Sequence, residues 1–196
     1  FFERMDPSDD ATFYAPTRLV THLDEGAIAA VGELYAELGI TGQVLDLMSS
    51  WVSHFRSPPD ELTVLGMNAV ELDANPAAAH RFVHDLNRDP VLPFDEASFD
   101  AVVCCASVDY LVRPIEVVTE VRRVLRPGGV LVFTFSNRCF PTKAIRGWLA
   151  TNDDQHLEIV AEYLRRSGGW GPVRAERRPT TGVDPLLAVW AHRPAG

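Results

Sequence analysis

The chain has 196 residues, of which 46% are hydrophobic and 23% charged. These are the values of an ordinary globular domain and exclude disordered, collagen-like and coiled-coil classes. Its 27 acidic against 18 basic residues give a formal net charge of -9, and Lys143 is the sole lysine, which disfavours a nucleic-acid partner and rules out a lysine-rich membrane patch.

This length predicts one compact domain that buries roughly 70% of its unfolded surface. Phe1-Phe2-Glu3-Arg4-Met5-Asp6 lacks the basic region and apolar core of a secretory signal. The longest apolar run, Ala101 to Val108, is too short to span a membrane. Cys104, Cys105 and Cys139 are odd in number, two of them adjacent, with no C-x-x-C pair. They read as small buried hydrophobes of a reduced, cytoplasmic protein without a metal. A joint three-thiol site for a soft ion is the weaker alternative, because adjacent strand residues face opposite ways.

In chain order, residues 1–15 read as a flexible or docking arm. Thr17 to Leu38 carries Leu19, Val20, Leu23, Ile28, Val31, Leu34, Tyr35 and Leu38 at helical spacing, which predicts one broken helix or two, with Asp24 as N-cap and Gly39 as C-cap. Short apolar runs predict strands over 43–47, 62–67, 81–85, 99–106 and 130–135. The fourth, Phe99 to Ala106, shows no alternation, as a strand covered on both faces should. Pro114 to Leu125 reads as a helix with proline in its first turn, stopped at Arg126-Pro127-Gly128-Gly129. Helices follow over 142–150 and 153–166, and strands over 173–178 and 186–192. Gly168-Gly169-Trp170-Gly171 follows a helix and therefore reads as a helix stop rather than a phosphate loop. Alternating strands and helices predict an α/β fold with a mostly parallel sheet and helices on both faces.

Certain residues fall at fixed places on this plan. Asp46 lies in the first strand, Val44-Leu45-Asp46-Leu47. The second strand runs into Gly66-Met67-Asn68 and the third into His84-Asp85-Leu86-Asn87. Leu92-Pro93-Phe94 precedes Ser98-Phe99-Asp100, and Leu125-Arg126-Pro127-Gly128-Gly129 precedes the fifth strand. In this order the segments resemble the class I S-adenosylmethionine-dependent methyltransferases of the small type 11 group, over about residues 44–136. The resemblance implies a Rossmann-like, doubly wound sheet of seven strands, mostly parallel with one antiparallel strand. It implies a cap segment over residues 1–40 and a methyltransferase-like domain over 41–196, within a single compact whole.

The resemblance also implies a site. The loop after the first strand, Met48-Ser49-Ser50-Trp51-Val52-Ser53-His54, has no glycine where the family has several. S-adenosylmethionine carries no phosphate, so Ser49 and Ser50 hydroxyls are expected to bind its carboxylate in their place. Asp46 and Met48 are expected beside them. Asn68 stands where the family has a carboxylate for the ribose hydroxyls, and the plain alternative makes it a helix cap. Asp85 is expected to accept from the adenine amino group, with the Leu86 amide beside it. Cys105 and Ala106, with Ser107, are expected to flank the methionine and sulfonium.

Candidate substrate contacts are Tyr14, Arg18 and His22 in the N-terminal segment, Tyr110 after the fourth strand, and Asn137 and Arg138 after the fifth. His54 and His84 are candidate bases, although a lone histidine is more often structural. The expected function is transfer of a methyl group to a small molecule, with S-adenosylhomocysteine as product, by a monomer or homodimer. The rival is a binding protein on the same fold that has lost the activity. A nicotinamide enzyme is disfavoured, because a pyrophosphate needs the close backbone approach that glycines allow.

Overall fold

The computed structural model describes residues 1–196. Seven strands form one sheet: β1 (Gln43–Leu47), β2 (Glu61–Gly66), β3 (His80–Val83), β4 (Phe99–Cys105), β5 (Leu125–Phe135), β6 (Arg174–Arg178) and β7 (Leu186–His192). Their order is β3-β2-β1-β4-β5-β7-β6. The pairs from β3 to β5 are parallel, and β7 is antiparallel to both its neighbours. Right-handed winding outward from β1 reverses the strand order between β1 and β4. That reversal is the switch point where ligands bind in open sheets.

Period-two alternation assigns the two cores. Leu45, Leu47, Val102, Cys104, Leu131 and Phe133 face α4 (Pro114–Val124) and α6 (Asp153–Ser167). Val44, Ala101, Val103, Val130 and Val132 face α2 (Glu25–Glu37), and α3 (Ala69–Asp73) adds Leu72 to this layer. Cys104 is therefore in one core while Cys105 turns to the opposite face, so the adjacent thiols do not meet in one site. No helix is long and apolar enough to cross a membrane.

Three expectations are corrected. The helix predicted from Thr17 begins only at Glu25, where Asp24 caps it and also accepts from the Val183 and Asp184 amides. Residues 15–24 form an irregular strap instead. Ala27, Ala30, Val31, Leu34 and Tyr35 lie fully inside the second core, so α2 is a layer of the fold and only the residues before it act as a cap. Of the helix predicted over 142–150, only α5 (Arg146–Leu149) forms.

The arm at the N-terminus is docked. Within α1 (Asp10–Tyr14), Asp10 is paired with Arg4 at 2.7 Å and Lys143 at 3.2 Å. Lys143 is fully buried and also donates to the Ser8 carbonyl at 2.7 Å.

Candidate functional site

A cavity of about 350 Å³ opens at the carboxyl ends of β1 to β5. That size and place suit a small ligand. Its floor comes from residues that follow those strands, and Tyr14, Arg18 and Val20 to Leu23 roof it.

The first wall is the segment between β1 and β2, residues 48–60, which contains no helix. It is folded around Asp46. The Asp46 carboxylate is 5% exposed and accepts from Ser49 Oγ at 2.7 Å and Ser53 Oγ at 2.5 Å. Burial raises its pKa to about 6, against the two hydroxyl bonds that lower it. The Asn75 amide donates to the Ser50 carbonyl and Ser53 Oγ. Ser50 Oγ donates to Glu71 Oε2 at 2.6 Å. Ser49 and Ser53 thus spend their hydroxyl protons on Asp46 and Ser50 spends its proton on Glu71. A ligand carboxylate would have to draw instead on the backbone amides of Ser50 to Ser53, none of which donates to a protein acceptor. The expectation that Ser49 and Ser50 hydroxyls bind that carboxylate is corrected accordingly.

Two left-handed residues flank this wall, Met48 with φ of 57° and Ala106 with φ of 52°. Side chains rarely adopt this conformation, and such strain collects at functional sites. Ser107 Oγ donates to the Met48 carbonyl at 3.3 Å and so links the two turns.

The Asn68 side chain is committed to structure. Its Oδ1 accepts from the Glu71 amide and caps α3, while Nδ2 donates to the carbonyls of Tyr14 at 2.9 Å and Ala15 at 3.1 Å. Both amide protons are used, so the expected ribose donor is corrected to a cap that ties down the strap. Glu71 does the same from α3, accepting the Arg18 amide at 2.7 Å. Trp51 Nε1 adds a third tie, to the Val20 carbonyl at 3.0 Å. Asn68→Ala is expected to cost about 1–2 kcal/mol through the lost cap and ties. Limited proteolysis should then cut within residues 15–23 faster than in the parent. An unchanged cleavage rate would remove this role from Asn68.

Asp85 lines the cavity with Leu86. Its Oδ1 accepts the Asn87 and Arg88 amides, at 2.9 and 3.2 Å, while Oδ2 has no protein donor. One carboxylate oxygen is therefore fixed in orientation by a turn and the other is open to a ligand. Cys105 and Ala106 lie opposite, and burial pushes the Cys105 thiol up to about 12, which keeps it neutral.

The other named residues separate. Tyr14, Arg18, His22, Tyr110 and Arg138 all line the cavity. Tyr110 is buried; its hydroxyl oxygen accepts the Phe140 amide at 2.8 Å, and burial raises its pKa. Arg138 is tied to Asp184 at 2.8 Å. Asn137 is exposed and lies outside the cavity, so that candidate is corrected. His84 Nε2 donates to the Asp89 carbonyl of its own turn, at 2.8 Å. Sequence reasoning missed Glu71 and Ser53. Glu71 had a signal, the spacing of an Asn cap followed three residues later by Glu. Ser53 had none, because its bond to Asp46 depends on a loop without regular structure.

Residues 58–133 match the sequence profile of a family described as a methyltransferase domain. The matched stretch begins after the glycine-free loop. This is a class I methyltransferase fold. No curated protein matches the chain in sequence. Among solved structures, it is similar to Burkholderia thailandensis 1,6-didemethyltoxoflavin-N1-methyltransferase with bound 1,6-didemethyltoxoflavin and S-adenosylhomocysteine. That likeness has 17% identity and a TM-score of 0.61, over 87% of this chain and 80% of that one. It is also similar to an S-adenosylmethionine-dependent methyltransferase from Mesorhizobium loti, with 18% identity and a TM-score of 0.56, over 85% and 100%. The [4+2]-cyclase SpnF is a third, with 16% identity and a TM-score of 0.60, over 85% and 81%. At these identities the likeness is one of fold, and the methyltransferase fold places its switch point at the cavity described here.

Proposed function

We propose that this protein is an S-adenosylmethionine-dependent methyltransferase acting on a small molecule. The observation that carries this reading is the cavity at the switch point, with Asp85 offering one unpaired carboxylate oxygen beside Leu86. Asp85 would accept from the adenine amino group, and the free amides of Ser50 to Ser53 would donate to the carboxylate end. The residues present fit the cofactor at these two ends; at the ribose the Asn68 amide has no proton to spare. Bound S-adenosylmethionine would supply a methyl group on a positively charged sulfur, an electrophile that needs little activation. The chain would contribute position and dryness: walls that align an acceptor with the methyl group, and a strap that excludes water.

Titration calorimetry with S-adenosylhomocysteine is the direct test, with micromolar binding expected. Asp85→Ala should weaken that binding by about 1–3 kcal/mol, the worth of one buried acceptor, with the fold intact. Equal affinity in the variant would remove the adenine role from Asp85.

A second reading has its own observation. Met48 occupies a left-handed turn and Asn68 is spent on the strap, which favours an inactive or repurposed binding protein on the same fold. A cyclase shares the fold, and a fold does not dictate its chemistry. A protein that binds neither S-adenosylmethionine nor S-adenosylhomocysteine at millimolar concentration would favour this second reading.

A further inference from the structure

The cavity wall nearest β5 is built from rings. Phe140 meets His22 edge-on at 5.3 Å and lies 6.0 Å from Tyr110. The Arg18 guanidinium sits over Phe140 at 5.6 Å and over Phe13 at 4.8 Å, with no carboxylate partner. Of the carboxylates near this wall, Asp10 pairs with Arg4 and Lys143, Asp184 pairs with Arg138, Glu71 accepts the Arg18 amide and the Ser50 hydroxyl, and burial pushes the Asp109 pKa up to about 8. The rings, with an Arg18 guanidinium that has no carboxylate partner, suit a flat, neutral or anionic molecule.

His54 reaches the same cavity from the helix-free segment. Neither its ring nor that of His22 makes a hydrogen bond to the protein, and His22, whose own pKa burial lowers, is the titratable neighbour that bears on His54. His22 is itself faced by Glu71 and Arg18, while Arg56 beside His54 pairs away with Glu33. The His54 backbone is braced from behind, because its carbonyl lies against Gly32 of α2 with room for little more than hydrogen. A histidine on a braced backbone, lining a ligand cavity and with no protein partner for its ring, is equipped to accept a proton from the ligand.

We propose that this wall receives a planar aromatic acceptor bearing an O–H or N–H proton, and that His54 is the catalytic base that takes that proton. This rests on the methyl-transfer reading. As the acceptor atom bonds to the methyl carbon, the carbon–sulfur bond breaks with its electron pair kept on sulfur, and the acceptor's proton ends on the His54 ring. Desolvation, and then repulsion from His22 whenever that ring is protonated, hold His54 below the usual histidine pKa. The ring is therefore neutral and ready at neutral pH and is lost as a base only in acid.

The test uses the whole chain loaded with S-adenosylhomocysteine and titrated with p-cresol, a planar phenol, between pH 5 and 7.5. Cresol affinity should be about tenfold higher at pH 7.5, where neutral His54 accepts the phenol proton in a hydrogen bond. His54→Gln and His54→Leu should bind cresol with no pH dependence over this range. His22→Leu should move the midpoint upward, because a neighbouring positive charge is gone. S-adenosylhomocysteine should bind all three variants as it binds the parent. Failure of the parent to bind S-adenosylhomocysteine would sink the methyl-transfer reading. With that binding intact, absent or pH-independent cresol binding would overturn the proposal. Loss of S-adenosylhomocysteine from either His54 variant would overturn it too, by placing His54 in the cofactor's half of the cavity.

Discussion

Gly66→Ala should unfold this protein about 6–12 °C below the parent and abolish its ligand binding. Gly66 ends β2, and a methyl group there would overlap the Ser49 carbonyl oxygen, with Leu72 Cδ2 at 3.2 Å on the other side. Backbone is what it would strike, so no side-chain rotation relieves the clash. The Ser49 amide meanwhile bonds the Leu65 carbonyl at 2.8 Å, which locks the segment after β1 against the end of β2. Forcing the two apart strains that bond and pulls Ser49 from Asp46. Overpacking of this kind costs about 3 kcal/mol, and for a chain of this size each kcal/mol lowers the melting temperature by about 2–4 °C. Calorimetric melting and S-adenosylhomocysteine titration read the two effects separately. A parent-like melting temperature would show that the segment gives way cheaply and that Gly66 does not set its position.

Asp109→Asn should stabilise the protein increasingly as pH rises. Asp109 lies in the short turn after β4, 2% exposed, and its Oδ2 has no hydrogen-bond partner. The Tyr163 hydroxyl is likewise buried without one. Burial raises the Asp109 pKa from 3.8 to about 8, since an unpaired charge in such surroundings is costly. The folded state therefore holds a proton that the unfolded chain releases above pH 3.8. Stability contributed by this group is fully present below that pH and falls by about 1.4 kcal/mol per unit as pH rises toward 8. Asp46, raised to about 6, acts with the same sign over a shorter window. Asp10 and Asp24, whose pKa values are lowered by their partners, act oppositely at acid pH. Comparing the two proteins cancels these shared contributions. Denaturant unfolding at pH 5, 6.5 and 8 should give curves that diverge with pH in favour of the variant. Parallel curves would mean that Asp109 ionises freely in the folded protein.

Much of this protein was legible along the chain. The strands at 43–47 and 186–192 fall where their apolar runs place them, because a buried strand needs side chains suited to two covered faces and little else. Pro114 opens α4 and Gly168, with φ of 69°, closes α6, because each rests on a local backbone preference. The helix expected from Thr17 failed for the opposite reason. Leu19 and Val20 are spaced for a helix yet stand about half exposed, held in a strap by Asn68, Glu71 and Trp51, all distant in sequence.

The site divides in the same way. Sequence alone determined the α/β class, the succession of strands, and Asp85 at the end of the third, since these depend on composition, period and order. Tertiary structure decided what each polar group is free to do. It spent Ser49 and Ser53 on Asp46 and Asn68 on the strap, placed Asn137 outside the cavity, and brought His54 into one cavity with His22 and Phe140. A hydrogen-bond donor serves a ligand only if no nearer acceptor claims it, and which acceptor is nearer depends on segments that meet only when the chain is folded.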